Sequence, residues 1–251
     1  MIFSVQNNKG GNSKSTTATS LASIMSEKGK VLLVDTDPQG NCSVIYGHDP
    51  DQFQYTLYDV LLNNYPVKEA IKPLAKNIDI LPSNSDLDFF DMDVISEPKK
   101  FPNPYSLLDN AIQSVVADYD FIVIDTPSYM GLMIINVLVA TEKVIIPFVP
   151  DALSFKGVVK LVRKINEYKN KLNTSLEIAG IFPVIVERRT NVHKAVMEEV
   201  EKFCAEEKMN YINVEIPKTI AYSSEVAYNA RPAVDSDKKI RQKYIDIFKH
   251  L

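Results

Sequence analysis

The sequence predicts an α/β fold: one domain built around a mostly parallel, doubly wound sheet with helices on both faces. Three observations predict it. Short apolar runs recur at residues 2–5, 31–34, 78–81, 121–124, 144–149 and 178–184. Uninterrupted runs of this length suit strands covered on both faces, the condition of a parallel sheet. Longer amphipathic stretches lie between them. Val158, Leu161, Val162 and Ile165 form one apolar stripe, with Lys160, Arg163 and Lys164 on other faces, and residues 192–206 and 235–251 show similar periodicity. Finally, no internal repeat or low-complexity linker divides the chain, so residues 1–251 read as a single domain.

Composition narrows the function classes. The 251 residues are 45% apolar and 24% charged, ordinary for a globular protein with a substantial core. A net charge of -4 argues against a global electrostatic grip on nucleic acid, but not against a local basic patch. Cys42 and Cys204 are too few for a disulfide framework or an ordinary metal site, which fits a reducing cytoplasm. The first residues lack the basic start and apolar core of a signal peptide. No window approaches 18 uncharged apolar residues, so no membrane span is expected. The Pro-, Lys- and Asp-rich segments 49–54 and 97–104 are expected to be exposed loops.

The first run, 2–5, leads into Asn7-Asn8-Lys9-Gly10-Gly11-Asn12-Ser13-Lys14-Ser15-Thr16-Thr17. A strand, a loop of small residues and a helix start form the context that phosphate binding requires. Small residues let backbone N–H groups approach phosphate oxygens, and the helix N-terminus adds partial positive charge. Lys14 is expected to reach the β- and γ-phosphates, and the Ser15 hydroxyl to coordinate Mg²⁺. The ordinary phosphate-loop motif, however, has glycine at the places held here by Asn8 and Ser13.

The departure is explained by a resemblance. Lys9-Gly10-Gly11-x-x-Lys14-Ser15-Thr16 resembles the deviant Walker A motif of the ParA/MinD superfamily. The resemblance implies that Lys9, Gly10, Gly11, Asn12, Ser13, Lys14, Ser15 and Thr16 surround ATP, and that Lys9 crosses a dimer interface to touch the partner's nucleotide. The family normally carries glycine where this chain has Ser13. If that position needs positive φ, a non-glycine there costs roughly 1–2 kcal/mol.

The second run ends in Asp35-Thr36-Asp37-Pro38-Gln39-Gly40-Asn41. Carboxylates at the C-terminal end of a strand lie on the sheet edge where open α/β folds bind ligands. The segment resembles the ParA string VDxDPQGN, which implies that Asp37 orients the attacking water and Asp35 supports the Mg²⁺ shell. The fourth run ends in Asp125-Thr126-Pro127 and looks like a Walker B motif, with Asp125 holding Mg²⁺ through a water. Ser128-Tyr129-Met130-Gly131 departs from the family's Pro-Ser-Leu-Gly but keeps the glycine of the loop that senses the γ-phosphate.

Beyond Gly131 the resemblance loosens while still spanning the chain. Residues 147–157 resemble the ParA segment PVxxEYxALxG, Gly180-Ile181 with Glu187-Arg188-Arg189-Thr190 resembles GI…DxRT, and Ile216-Pro217-Lys218 resembles Ile-Pro-Arg. Glu225 and Pro232 fall where the family has Glu and Pro. The resemblance implies that Pro217 lies near the adenine, and that Arg189 and Lys218 bind DNA without sequence preference. Lys156, Lys160, Arg163 and Lys164 extend that basic set on one helix.

The resemblance as a whole implies a small ParA-type ATPase without an added N-terminal DNA-binding domain. ATP would close a sandwich homodimer that binds DNA on the nucleoid, and a ParB-like centromere-binding partner would stimulate slow hydrolysis. Two other readings stand beside it. A MinD-like regulator would use the basic, amphipathic segment 238–251 on a membrane; the ParA fold instead closes with a core helix there. A nucleotide switch with little hydrolysis would follow from a costly Ser13. An iron–sulfur carrier on the same fold would need a cysteine near Asp125 or a CxxC pair, and the sequence has neither.

Overall fold

The computed structural model describes every residue of 1–251 except Asn8 and Asn12. Its strands are β1 (Ile2–Val5), β2 (Val31–Asp35), β3 (Lys72–Ala75), β4 (Ile78–Leu81), β5 (Phe121–Asp125), β6 (Lys143–Phe148) and β7 (Glu177–Pro183). They form one sheet in the order β3-β4-β2-β5-β1-β6-β7. Every neighbouring pair is parallel except β3–β4.

The helices are α1 (Lys14–Met25), α2 (Asn41–Ile45), α3 (Leu57–Asn63), α4 (Val67–Ala70), α5 (Phe90–Ser96), α6 (Leu107–Gln113), α7 (Leu132–Ala140), α8 (Ser154–Leu172), α9 (Asn191–Glu206), α10 (Ala221–Asn229) and α11 (Lys238–Phe248).

Strand residues alternate between two cores, as a pleated sheet covered on both faces requires. Phe3, Val31, Leu33 and Val123 pack with residues of α1 and α11. Ile2, Leu32, Val34, Ile122 and Ile124 pack on the opposite face with residues of α3, α5, α6 and α7. A third cluster joins β6 to α8 and α9 through Val144, Ile146, Val162 and Val200. The apolar runs of the sequence are therefore the strands, and the amphipathic segments cover them.

Three sequence expectations shift in detail. The runs 31–34 and 121–124 each gain one residue, so that Asp35 and Asp125 belong to the sheet. The short strand β3 carries no strand pattern, because it is an antiparallel edge strand with Pro73 and alternate residues exposed. It is turned back onto β4 at Asn77, whose φ of 58° is left-handed. The segments 49–54 and 97–104 are largely exposed, but the first contains a 3-10 turn at Pro50–Gln52 and the second is anchored by buried Phe101.

The C-terminal segment is a core helix. Ile240, Tyr244 and Ile247 of α11 are buried in the cluster that includes α1. Each such side chain contributes about 1.5–3 kcal/mol of burial, so the apolar face that a membrane surface would take is already packed against the sheet. Among the described residues no helix is long and apolar enough to cross a membrane.

Candidate nucleotide site at the C-terminal edge of the sheet

The central strands end together, and two buried threonines pin that edge. The Thr36 hydroxyl donates to the Asp125 carbonyl at 2.6 Å, and the Thr126 hydroxyl to the Val5 carbonyl at 2.6 Å. The loop after β1 is tied to the same edge: the Asn7 amide donates to the Pro147 carbonyl at 2.5 Å, and its side-chain oxygen accepts from the Lys9 N–H at 2.9 Å. The loop then enters α1 through two left-handed residues, Gly11 at φ 75° and Ser13 at φ 56°.

Ser13 therefore does occupy a glycine conformation. Its side chain makes no capping hydrogen bond that would offset the strain. Replacing Ser13 with Gly is expected to raise stability by about 1 kcal/mol, or about 2–4 °C in the midpoint of thermal unfolding for a chain of this size. A midpoint at or below that of the wild type would show that the strain is relieved elsewhere. Asn12 lies outside the described residues.

Lys14 opens α1 with its side chain almost fully buried, and its ammonium donates to the Ser128 hydroxyl at 2.7 Å. Burial lowers its pKa, while the nearby Asp125 and Asp37 carboxylates push it back up. Ser128, a departure from the family pattern, thus gives the loop lysine a hydrogen-bond acceptor. The same loop is held from α5, where the Asp91 carboxylate accepts from the Leu132 N–H at 2.9 Å.

Asp35 and Asp125 face one another in register on adjacent parallel strands and are both fully buried. Residues in register share a sheet face, so the two carboxylates lie side by side. Asp35 is satisfied by the backbone, accepting from the Asp37 and Cys42 N–H groups at 3.0 Å each. Cys42 can stand there because Gly40 turns the chain at φ 58°, where a side chain would run into Pro50. Burial and the neighbouring Asp125 hold Asp35 well above the ordinary carboxylate range. Burial pushes Asp125 up to about 6, against the Ser15 hydroxyl and the Lys14 ammonium.

One oxygen of Asp125 is buried without a hydrogen-bond partner among the described residues. An orphaned carboxylate oxygen beside Ser15 is the kind of donor set a hard divalent cation takes, directly or through water. Asp35, Cys42 and Asp125 present atoms within 4.8 Å of one another. The Cys42 thiol, raised by burial and by both carboxylates, stays protonated and donates to Asp125 at 3.5 Å. Asp37 is half-buried at the rim; burial raises its pKa, and one oxygen accepts from the Gln39 N–H at 3.1 Å.

Gly11, Ser13, Lys14, Ser15, Thr16, Asp37 and Ser128 line a cavity of ≈310 Å³. It adjoins a second of ≈310 Å³ whose walls include Thr19, Tyr222, Val226, Pro232 and Ala233. Thr16, Ile45 and Val226 border both. A polar cleft around the phosphate loop thus opens into a more apolar one roofed by α10. Of the residues lining this second cavity, Thr16 and Pro232 carry a family match in the sequence. Pro217 lines neither cavity; it bridges to Val186 at the end of the β7 side of the sheet.

The remaining candidates lie outside the cleft. The Lys9 ammonium pairs with the Asp151 carboxylate of its own chain and is 51% exposed. Lys218 is brought beside residues 186–190 by its N–H donating to the Val186 carbonyl at 3.1 Å. Its ammonium pairs with Glu187 at 2.9 Å, and Arg188 with Glu215 at 2.6 Å. Arg189 is exposed on the same turn.

A parallel sheet of this order, with a lysine-bearing loop between β1 and α1 and carboxylates ending β2 and β5, defines a phosphate-loop nucleoside-triphosphatase fold. A family model described as an AAA domain matches residues 1–178. Over 224 residues the chain is 32% identical to the chromosome partitioning protein ParA of Myxococcus xanthus, covering 88% of this chain and 77% of that protein. It is 30% identical to the sporulation initiation inhibitor protein Soj of Bacillus subtilis, covering 100% and 97%. Among solved structures, a plasmid partition protein of Borrelia burgdorferi bound to AMPPNP superposes with a TM-score of 0.83 at 25% identity, covering 99% of this chain and 97% of that one. The chain belongs to the ParA family.

Proposed function

We propose that this protein is a partition ATPase: it binds ATP with Mg²⁺, dimerises on it, holds DNA non-specifically, and lets go when a ParB-like partner stimulates hydrolysis. The observation that carries the reading is the packing of Asp35 and Asp125, in register and fully buried, against the start of a phosphate loop with Lys14. Two carboxyl groups buried side by side cannot both ionise cheaply, and suit a site that receives a cation.

Residue roles follow from position. Lys14 and the loop N–H groups bind and orient the β- and γ-phosphates. Ser15 and Asp125 hold Mg²⁺, and Asp35 positions the backbone of Asp37 and Cys42 behind them. Mg²⁺, when bound, neutralises charge on the transferring phosphoryl group. Asp37, at the rim, orients the attacking water. The cavity under α10 takes the adenine and ribose; that assignment replaces Pro217, which lines neither cavity.

Lys9 adds positive charge from the second subunit, and to do so it leaves Asp151. An exposed ion pair is worth about 0–1 kcal/mol, so Asp151→Asn is expected to raise basal phosphate release by up to about fivefold. Lys9→Ala is expected to abolish hydrolysis while leaving nucleotide affinity intact. An Asp151→Asn rate equal to or below that of the wild type would remove the restraining role.

The deciding experiment is DNA binding by the purified protein with ATP, with ADP and without nucleotide, at two salt concentrations, beside Lys14→Ala and Arg189→Ala. The proposal requires ATP-dependent, salt-sensitive, sequence-blind binding that Lys14→Ala loses and Arg189→Ala weakens. A protein that binds ATP but no DNA in any nucleotide state would refute it.

A further inference from the structure

The helix α8 concentrates positive charge. Its 19 residues carry six cations and one carboxylate, in a chain whose net charge is -4. One side of α8 is committed to the core through Val158, Leu161, Val162 and Ile165. On the other side Phe155, Lys156, Lys160, Arg163 and Lys164 border a groove of ≈450 Å³. Lys156, Lys160 and Arg163 fall four and three residues apart, which places them on one stripe of the helix, and all three are exposed.

One acid, Glu167, stands a turn beyond Arg163 and borders the same groove, but two other cations hold it. Lys164 pairs with Glu167 at 3.0 Å and Lys171 pairs with the same carboxylate at 2.9 Å. Among the described residues, Lys156, Lys160 and Arg163 have no carboxylate within salt-bridge distance. Lys218 and Arg188, by contrast, are both neutralised, and the Glu187 and Glu215 that neutralise them would repel phosphate. At 1.5 Å of rise per residue the stripe spans about 10 Å, roughly three phosphates of one DNA strand at ~3.4 Å each along the axis.

We propose that this face of α8, through Lys156, Lys160 and Arg163, is a track for the phosphate backbone of DNA, gripped without reading bases. The inference rests on the partition reading and assigns its main DNA contact to a different surface from Arg189 and Lys218. α8 begins three residues after Asp151, which holds Lys9. The track is therefore continuous with the segment that the nucleotide-dependent lysine must leave.

The test is the triple variant Lys156→Gln, Lys160→Gln and Arg163→Gln. Binding to a fluorescent random-sequence duplex is measured with ATP and Mg²⁺ across a potassium chloride series, alongside the wild type and an Arg189→Ala, Lys218→Ala double variant. The α8 variant is expected to lose at least tenfold in affinity. The slope of log affinity against log salt should fall by about 0.9 for each lost contact. Its nucleotide binding, basal phosphate release and thermal midpoint should match the wild type, which separates a lost contact from a damaged fold. Wild-type affinity and slope in the α8 variant, with binding lost only in the double variant, would overturn the assignment and leave the partition reading intact. Absence of DNA binding by the wild type itself would overturn both. Loss of binding to anionic phospholipid vesicles with DNA affinity unchanged would overturn it in favour of a membrane surface.

Discussion

Asp125→Asn is expected to make the nucleotide-free protein more stable and, at the same time, to abolish magnesium-dependent hydrolysis. Asp125 lies buried beside Asp35, and its pKa is pushed up to about 6 by burial. At neutral pH the fold therefore carries the cost of an ionised carboxylate that water would solvate freely in the unfolded chain. A neutral amide of the same shape removes that cost, worth about 1–3 kcal/mol, or roughly 2–4 °C of midpoint for each kcal/mol. The pH dependence has a definite sign. A carboxyl group whose pKa is raised in the fold binds protons more tightly there than in the unfolded chain. Its stabilising contribution is full below the unfolded value near 3.8 and is lost as pH rises through about 6. The gain from Asp125→Asn should thus be larger at pH 7.5 than at pH 5. Thermal unfolding in chelator at the two pH values checks it; a variant less stable than the wild type at pH 7.5 would contradict the electrostatic account.

Lys14→Gln is expected to act in the opposite direction on stability and still more severely on function. The buried Lys14 ammonium is the cation that offsets Asp37 and Asp125. Without it Asp37 and Asp125 lose the opposite charge that lowers their pKa values, and breaking a buried charge pair leaves the remaining partner uncompensated, so the nucleotide-free protein should lose stability. Removing one preorganised positive group from the phosphates should cost about 10²–10³-fold in hydrolysis rate, and calorimetry should show weakened ATP binding. The double variant with Asp125→Asn gives the sharper result. Groups in one charge cluster do not add independently, so the second change should restore much of the stability lost in Lys14→Gln while restoring no activity. Additive stability changes would place the two groups outside one another's field.

Much of the fold was legible because its signals are local. A short apolar run bounded by turns reads as a strand wherever it stands, and the helical stripes of α8, α9 and α11 each declare their own buried side. The edge strand β3 was not legible: Lys72–Ala75 is too polar and too short, and it exists only because β4 offers a partner. Of the candidate site, the loop lysines and the three aspartates were legible as strand and loop endings. Ser13 was legible as a conditional strain, and its φ of 56° supplies the condition. For Pro217 a family match carries residue identity without the path of the chain around it, and that path sets Pro217 beside Val186 rather than in either cavity.

The sequence by itself determined the α/β class, the phosphate loop, the position of carboxylates at strand ends and the closing core helix, since periodicity and short motifs are written within a few residues of one another. Only the tertiary structure decided that Asp35 and Asp125 share a register, that Ser128 receives the Lys14 ammonium, that Lys9 rests on Asp151 from 142 residues away, and that Lys218 is neutralised while the α8 stripe is not. Those pairings depend on strand order and helix packing summed over the whole chain. Opposite charges there act through space at a few ångströms, a distance that no spacing along the sequence encodes.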